Sequence, residues 1–194
     1  KPGRDSLLEY IPFKAPAPDR MGEDAIALLD HLEIERADVL GYSMGARIAA
    51  FLAANHPQRV RSAVLGGLGI GLIEGGGPGE NVAAALEAPS LQDVTDPVGR
   101  TFRAFADQTQ SDRLALAACI RGSRQVMPAS EVAKIDMPVM VAVGSKDDVA
   151  GPADKLAALM PHAQVLYIPG RDHMLAVGDK VFKNGVLQFL SERA

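Results

Sequence analysis

The pentapeptide Gly41-Tyr42-Ser43-Met44-Gly45 has the G-x-S-x-G spacing that presents a nucleophilic serine on a sharp strand-to-helix turn. Such a turn holds its serine in a strained backbone conformation, at a cost of about 1–3 kcal/mol. It also crowds the positions two before and two after the serine, so Gly41 and Gly45 are expected to be glycine for want of room. The Ser43 hydroxyl is then exposed at a helix N-terminus. There the helix dipole and the Met44 backbone N–H can stabilise a developing oxyanion. The chemistry on offer is attack on a carbonyl carbon through a covalent acyl intermediate.

A serine hydroxyl needs a base, and the base needs a group to orient it. The chain has four histidines, His31, His56, His162 and His173. The first lies in a helical pattern and reads as a surface residue. His56 and His162 sit at helix ends beside Pro57 and Pro161, where capping accounts for them. His173, in Gly170-Arg171-Asp172-His173-Met174, falls in the loop after an apolar strand, at the sheet edge where open α/β sheets bind ligands. It is the expected base. The loop Gly144-Ser145-Lys146-Asp147-Asp148 follows another strand and supplies the acid. Asp147 is the expected member and Asp148 the alternative, and helix capping is the competing explanation for the pair. The segment after the second strand offers only glycine and apolar residues until Glu74.

These side chains are scattered over 130 residues, so the elements between them must bring them together. Asp19 is a plausible N-cap for a helix through about Glu33, whose apolar positions Met21, Ala25, Leu28, Leu29 and Leu32 follow helical spacing. Strands are expected over 37–41, 60–65, 137–144 and 164–168. Helices are expected over 46–55, 151–159 and 179–191. Alternating strands and helices, with continuously apolar strands, predict a mostly parallel α/β sheet covered on both faces. Residues 1–18, with Pro12, Pro16 and Pro18, read as loop.

A long interruption separates the second and third strands. It opens on the glycine run 66–71. No glycines there have dinucleotide-fingerprint spacing, and a flexible hinge is the expected role. Helices follow, one with Asp96 as N-cap, Pro97 at its first position and an apolar face of Val98, Phe102 and Phe105. The next is expected to be capped by Ser111 and to carry Leu114, Ala117, Ala118 and Cys119. The domain reading is a core of 1–69 and 134–194 with a helical cap inserted at 70–133. Its arginines, Arg100, Arg103, Arg113, Arg121 and Arg124, could bind a carboxylate but read as a solvated face.

The chain has 194 residues, 47% hydrophobic and 23% charged, with a net charge of −4. That supports a packed globular domain and argues against a nucleic-acid partner, which calls for basic excess. The longest apolar stretch, 63–73, is too short and glycine-broken to cross a bilayer. A single cysteine, Cys119, cannot form an internal disulfide, which favours a reducing, cytoplasmic setting. Its expected role is packing.

From about Asp19 to Ala194 the chain resembles the α/β-hydrolase superfamily. The resemblance rests on the elbow pentapeptide, the helix at 23–32 before it, the link Asn55-His56-Pro57-Gln58-Arg59-Val60 after it, and the strand Met137–Gly144 leading to Asp147. The order Ser43, Asp147, His173 is that superfamily's order. The resemblance implies a nucleophile at Ser43, an acid at Asp147, a base at His173, an oxyanion donor at Met44 and a helical cap shaping the pocket. It implies a serine hydrolase acting on a carboxylic ester or related acyl substrate, with no metal or organic cofactor, and the Ala, Leu, Val and Phe content of the insertion points to a partly apolar substrate. The same triad would serve carbon–carbon bond hydrolysis or perhydrolysis, and a non-catalytic binding protein on this fold is the rival reading. Superfamily members carry further strands and a His-Gly type loop before this region, and no such motif precedes Ser43. The expectation is that a preceding segment, or another copy of the chain, completes the sheet.

Overall fold

The computed structural model describes residues 17–77 and 79–193. The loop expected over 1–18 lies outside these residues, save for its last two. Among the described residues, 18–77 and 125–193 form one compact unit and 79–124 a second.

The first unit is built on four parallel strands: β1 (Ala37–Tyr42), β2 (Val60–Gly66), β3 (Val139–Gly144) and β4 (Ala163–Ile168), in spatial order β1-β2-β3-β4. Every residue of β3 is buried, as expected for a strand covered on both faces. Val139, Val141 and Val143 point to one face. There they join Ala46, Ala50 and Ala53 of helix α2 (Met44–Asn55), which packs beside helix α1 (Pro18–His31). Met140 and Ala142 point to the other face, against Phe182, Val186 and Phe189 of the C-terminal helix Lys180–Glu192. The small residues of α2 let it lie close to the sheet. The parallel sheet with helices on both faces is thus as the sequence predicts. Within the described residues β1 is an outer strand, and its Leu40 is 53% exposed. Asp38 near the start of β1 accepts from Ser62 of β2 at 2.6 Å and is paired with Arg193 near the chain end.

Arg47 is buried in α2 and donates to the carbonyls of Gly71, Leu72 and Gln125, at 3.0, 3.3 and 2.7 Å. It therefore ties together the two chain segments that leave and re-enter this unit.

The second unit is helical: Glu80–Glu87, Pro97–Gln108 and Arg113–Gly122. It packs Val82, Ala83, Leu86, Ala106 and Ala117 with Phe102, Leu116 and Ile120. Asp96 caps the middle helix by accepting from the Gly99 N–H, with Pro97 at its first position, as predicted. Two details differ from expectation. The buried face of that helix is Gly99, Arg103 and Ala106, while Val98 and Phe105 are nearly half exposed. Gly99 wins the contact because its missing side chain admits Ala85; an added Cβ would lie 2.7 Å from the Ala85 Cβ. The last helix is capped by Asp112 and not Ser111, because the carboxylate accepts from both the Leu114 and Ala115 N–H groups while the Ser111 hydroxyl bonds Thr109. The arginines also do more than face solvent. Arg103 is buried and donates to the Ala85 and Ala88 carbonyls, and Arg121 bridges Glu80 and Glu87.

Candidate active site

Parallel register sets the position of each candidate residue. Tyr42 pairs with Gly66, Gly66 with Ala142, and Gly144 with Ile168. The residues that follow these, 43, 67, 145 and 169, therefore leave the sheet at one rim.

Ser43 stands at φ 55°, ψ −114°, between β1 and α2. A positive φ is uncommon for a side-chain-bearing residue, so the predicted strain is present. Two bonds hold it. The Ser43 N–H donates to the Gly66 carbonyl at 2.7 Å, and the Ser43 carbonyl accepts the Ala46 N–H at 3.1 Å. A Cβ added to Gly41 would stand 2.0 Å from the Gly45 carbonyl oxygen, so Gly41 must be glycine. The same expectation fails at Gly45, where an added Cβ meets no described atom within 4 Å. The crowding is one-sided because the first residues of α2 turn their backbone toward Gly41. Met44 opens α2, so its N–H has no acceptor within the helix.

His173 Nε2 lies 2.9 Å from Ser43 Oγ, and His173 Nδ1 lies 2.8 Å from Asp147 Oδ2. A carboxylate can only accept, so Nδ1 donates and Nε2 of the neutral ring accepts the serine proton. His173 is 5% exposed, and the Asp147 side chain is fully buried. The other Asp147 oxygen accepts the Val149 and Ala150 N–H groups at 2.9 and 3.0 Å. Asp147 is thus both turn cap and imidazole partner, and the two explanations offered by the sequence coexist. Burial pushes its carboxyl up, but the His173 and backbone donors outweigh burial and leave it below the ordinary carboxylate range. Asp148 is exposed and is not brought to the site.

The loops bearing acid and base hold each other. The Lys146 N–H donates to the Arg171 carbonyl, and the Gly170 N–H to the Ser145 hydroxyl. A Cβ on Gly144 would stand 2.2 Å from the Arg171 carbonyl oxygen, so this glycine permits the approach. Asp172 caps the turn that begins at His173. The remaining histidines lie elsewhere. His31 is exposed, His56 bonds Glu23 at 2.7 Å and His162 sits 3.5 Å from Asp136.

The glycine run after β2 is no loose hinge over 66–71. The Gly67 N–H donates to the Ala142 carbonyl and the Gly69 N–H to the Ala150 carbonyl, and a Cβ at Gly69 would lie 2.2 Å from the Gly151 oxygen. These glycines admit neighbouring backbone. Sequence reasoning also passed over Tyr42. Its hydroxyl donates to the His173 carbonyl at 2.7 Å, and its ring centroid is 5.5 Å from the imidazole. Burial, then the nearby Asp147 and Asp172 charges, push this phenol well above its ordinary range, so it stays protonated and a donor. No described helix is long and apolar enough to cross a membrane.

A family model described as "Alpha/beta hydrolase family" matches residues 5–180. Among curated proteins, the chain is 34% identical over 179 residues to a dihydrolipoyllysine-residue acetyltransferase component of an acetoin cleaving system from Pseudomonas putida, covering 81% of this chain and 46% of that protein. It is 27% identical over 154 residues to a 3-oxoadipate enol-lactonase of Acinetobacter baylyi, covering 70% and 56%. Among solved structures, a hydrolase from Pseudomonas aeruginosa aligns with a TM-score of 0.70 at 28% identity, covering 91% of this chain and 73% of that one. The chain spans about half the length of these curated relatives.

Proposed function

The chain belongs to the alpha/beta hydrolase family, and from that premise we propose that it is a serine hydrolase cleaving a carboxylic ester or a related acyl compound. His173 takes the Ser43 proton as Ser43 Oγ attacks the substrate carbonyl carbon. The carbonyl oxygen gains negative charge opposite the Met44 N–H. A donor so placed is worth about 10²–10³ in kcat. Collapse expels the alcohol, which takes the proton from His173, and leaves an acyl ester on Ser43. His173 then removes a proton from water, the hydroxide attacks the acyl carbon, and Ser43 leaves with its proton restored. Asp147 holds the imidazole in the Nδ1–H form and stabilises its charged state throughout.

What carries this reading is the unbroken run of hydrogen bonds from Ser43 Oγ through His173 to Asp147 at the rim where the strands end. Relatives named as a lactonase and a hydrolase support the same class of reaction. In this reading the helical insertion at 70–133 is the cap, and the bound portion of the substrate is partly apolar. The lone free cysteine, Cys119, supports a reducing compartment such as the cytoplasm.

A fluorophosphonate probe tests the proposal. The expected result is covalent labelling of the wild-type chain that vanishes in Ser43→Ala. Turnover of p-nitrophenyl esters should fall far more in His173→Ala than in His31→Ala. Labelling that persists without Ser43, or equal losses in the two histidine variants, would overturn it.

A further inference from the structure

The proposed base opens a four-residue helix, His173–Ala176, at the end of the loop that follows β4, and its place depends on what holds that short segment. Asp147 fixes one ring nitrogen of His173, Asp172 caps the short helix and the Lys146 N–H holds the Arg171 carbonyl, while the His173 carbonyl itself is held by Tyr42. Tyr42 is covalently adjacent to Ser43, and its hydroxyl reaches the His173 carbonyl at 2.7 Å across 131 residues of chain. Its ring lies tilted beside the imidazole, centroids 5.5 Å apart, and is backed by Phe182 edge-on at 5.8 Å and 88°. Two consecutive glycines make this possible. A Cβ on Gly66 would fall 2.6 Å from the Tyr42 ring, and one on Gly67 would fall 2.8 Å from that ring and 3.0 Å from the imidazole.

We propose that Tyr42 is a positioning residue for His173, with its hydroxyl and ring referencing the base to the strand that carries Ser43. The inference rests on the reading of His173 as the base. Tyr42 thereby adds a short link, one peptide unit and one hydrogen bond, between Ser43 and the residue that carries the imidazole, beside the Asp147 and Lys146 contacts that reach the same segment through β3 and β4. Tyr42 touches no reacting atom; it acts through where it holds the ring.

The test is Tyr42→Phe, which keeps the ring and removes only the hydroxyl. On a p-nitrophenyl ester, kcat should fall about five- to tenfold, the loss expected from one hydrogen bond, with KM within about twofold. The rate of fluorophosphonate labelling should fall in parallel. Independently of turnover, the ¹⁵N and Nδ1–H resonances of the His173 ring should shift and broaden as the ring gains freedom. A variant that melts earlier yet keeps kcat and the imidazole resonances of the wild type would overturn the proposal and leave Tyr42 a packing residue. If the wild-type chain neither labels nor turns over ester, the hydrolase reading fails, and the ring resonances of Tyr42→Phe still decide whether Tyr42 positions His173.

Discussion

The two glycines of the elbow, equivalent in the motif, should respond oppositely to alanine. At position 41 the new methyl would stand 2.0 Å from the Gly45 oxygen, 2.2 Å from its carbonyl carbon and 2.5 Å from the Ala46 nitrogen, where ordinary contact begins near 3.4 Å. All three are backbone atoms and cannot rotate away. The start of α2 would have to retreat by more than an ångström, through a helix packed on the sheet. Overpacking of this kind costs about 1–3 kcal/mol or more, which for a chain of this size lowers Tm by about 3–10 °C. At position 45 the methyl meets no described atom within 4 Å, and the residue lies inside α2. There alanine gains about 0.5–1 kcal/mol over glycine, which should raise Tm by about 1–4 °C. Both variants should be followed by thermal melting monitored by circular dichroism, with fluorophosphonate labelling alongside. Labelling should fall about 10²-fold in Gly41→Ala, since a displaced helix start misplaces Ser43. Equal destabilisation by the two substitutions, or a wild-type melt for Gly41→Ala, would refute the argument from close approach.

Two further outcomes follow from the buried polar groups. Asp147→Asn should lower ester turnover by about 10³–10⁴ and Asp148→Asn by less than about threefold, measured on the same ester. Because the Asp147 carboxyl is held below its ordinary range, its contribution to stability is complete above about pH 4 and is lost as pH falls through the folded value; the gap in urea stability between wild type and Asp147→Asn should therefore narrow from pH 7 to pH 3, and a gap that widens would reverse the assigned cause. Arg47→Met should cost about 3 kcal/mol or more in urea unfolding, since the carbonyls of Gly71, Leu72 and Gln125 lose a buried donor; a loss under about 1 kcal/mol would mean that water replaces the guanidinium.

The sequence yielded those features that depend on local pattern. Continuous apolar runs located the four described strands, and the elbow spacing together with strand-end loops singled out Ser43, Asp147 and His173, of which His173 lies within hydrogen-bond reach of the other two. What stayed hidden depends on which backbones approach. Glycine signals either freedom or proximity, and composition cannot distinguish them; Gly67, Gly69 and Gly144 are close-approach positions, whereas Gly45 is not. Ser111 is the cap the sequence suggests, and the helix is capped one residue later, by Asp112. Tyr42 escaped notice because its partner is a main-chain oxygen 131 residues away, a contact that leaves no trace in spacing.

Ser43 carries its hydroxyl on a backbone twist that suits glycine better than serine, at φ 55° and ψ −114°. A Ser43→Gly exchange would relax that twist and by itself return about 1–3 kcal/mol to the fold. On the proposed function, the most robust version of this molecule is therefore an inert one. Any laboratory search that rewards only solubility or heat tolerance should drift toward loss of the hydroxyl, so libraries built on this chain need a simultaneous screen for reactivity.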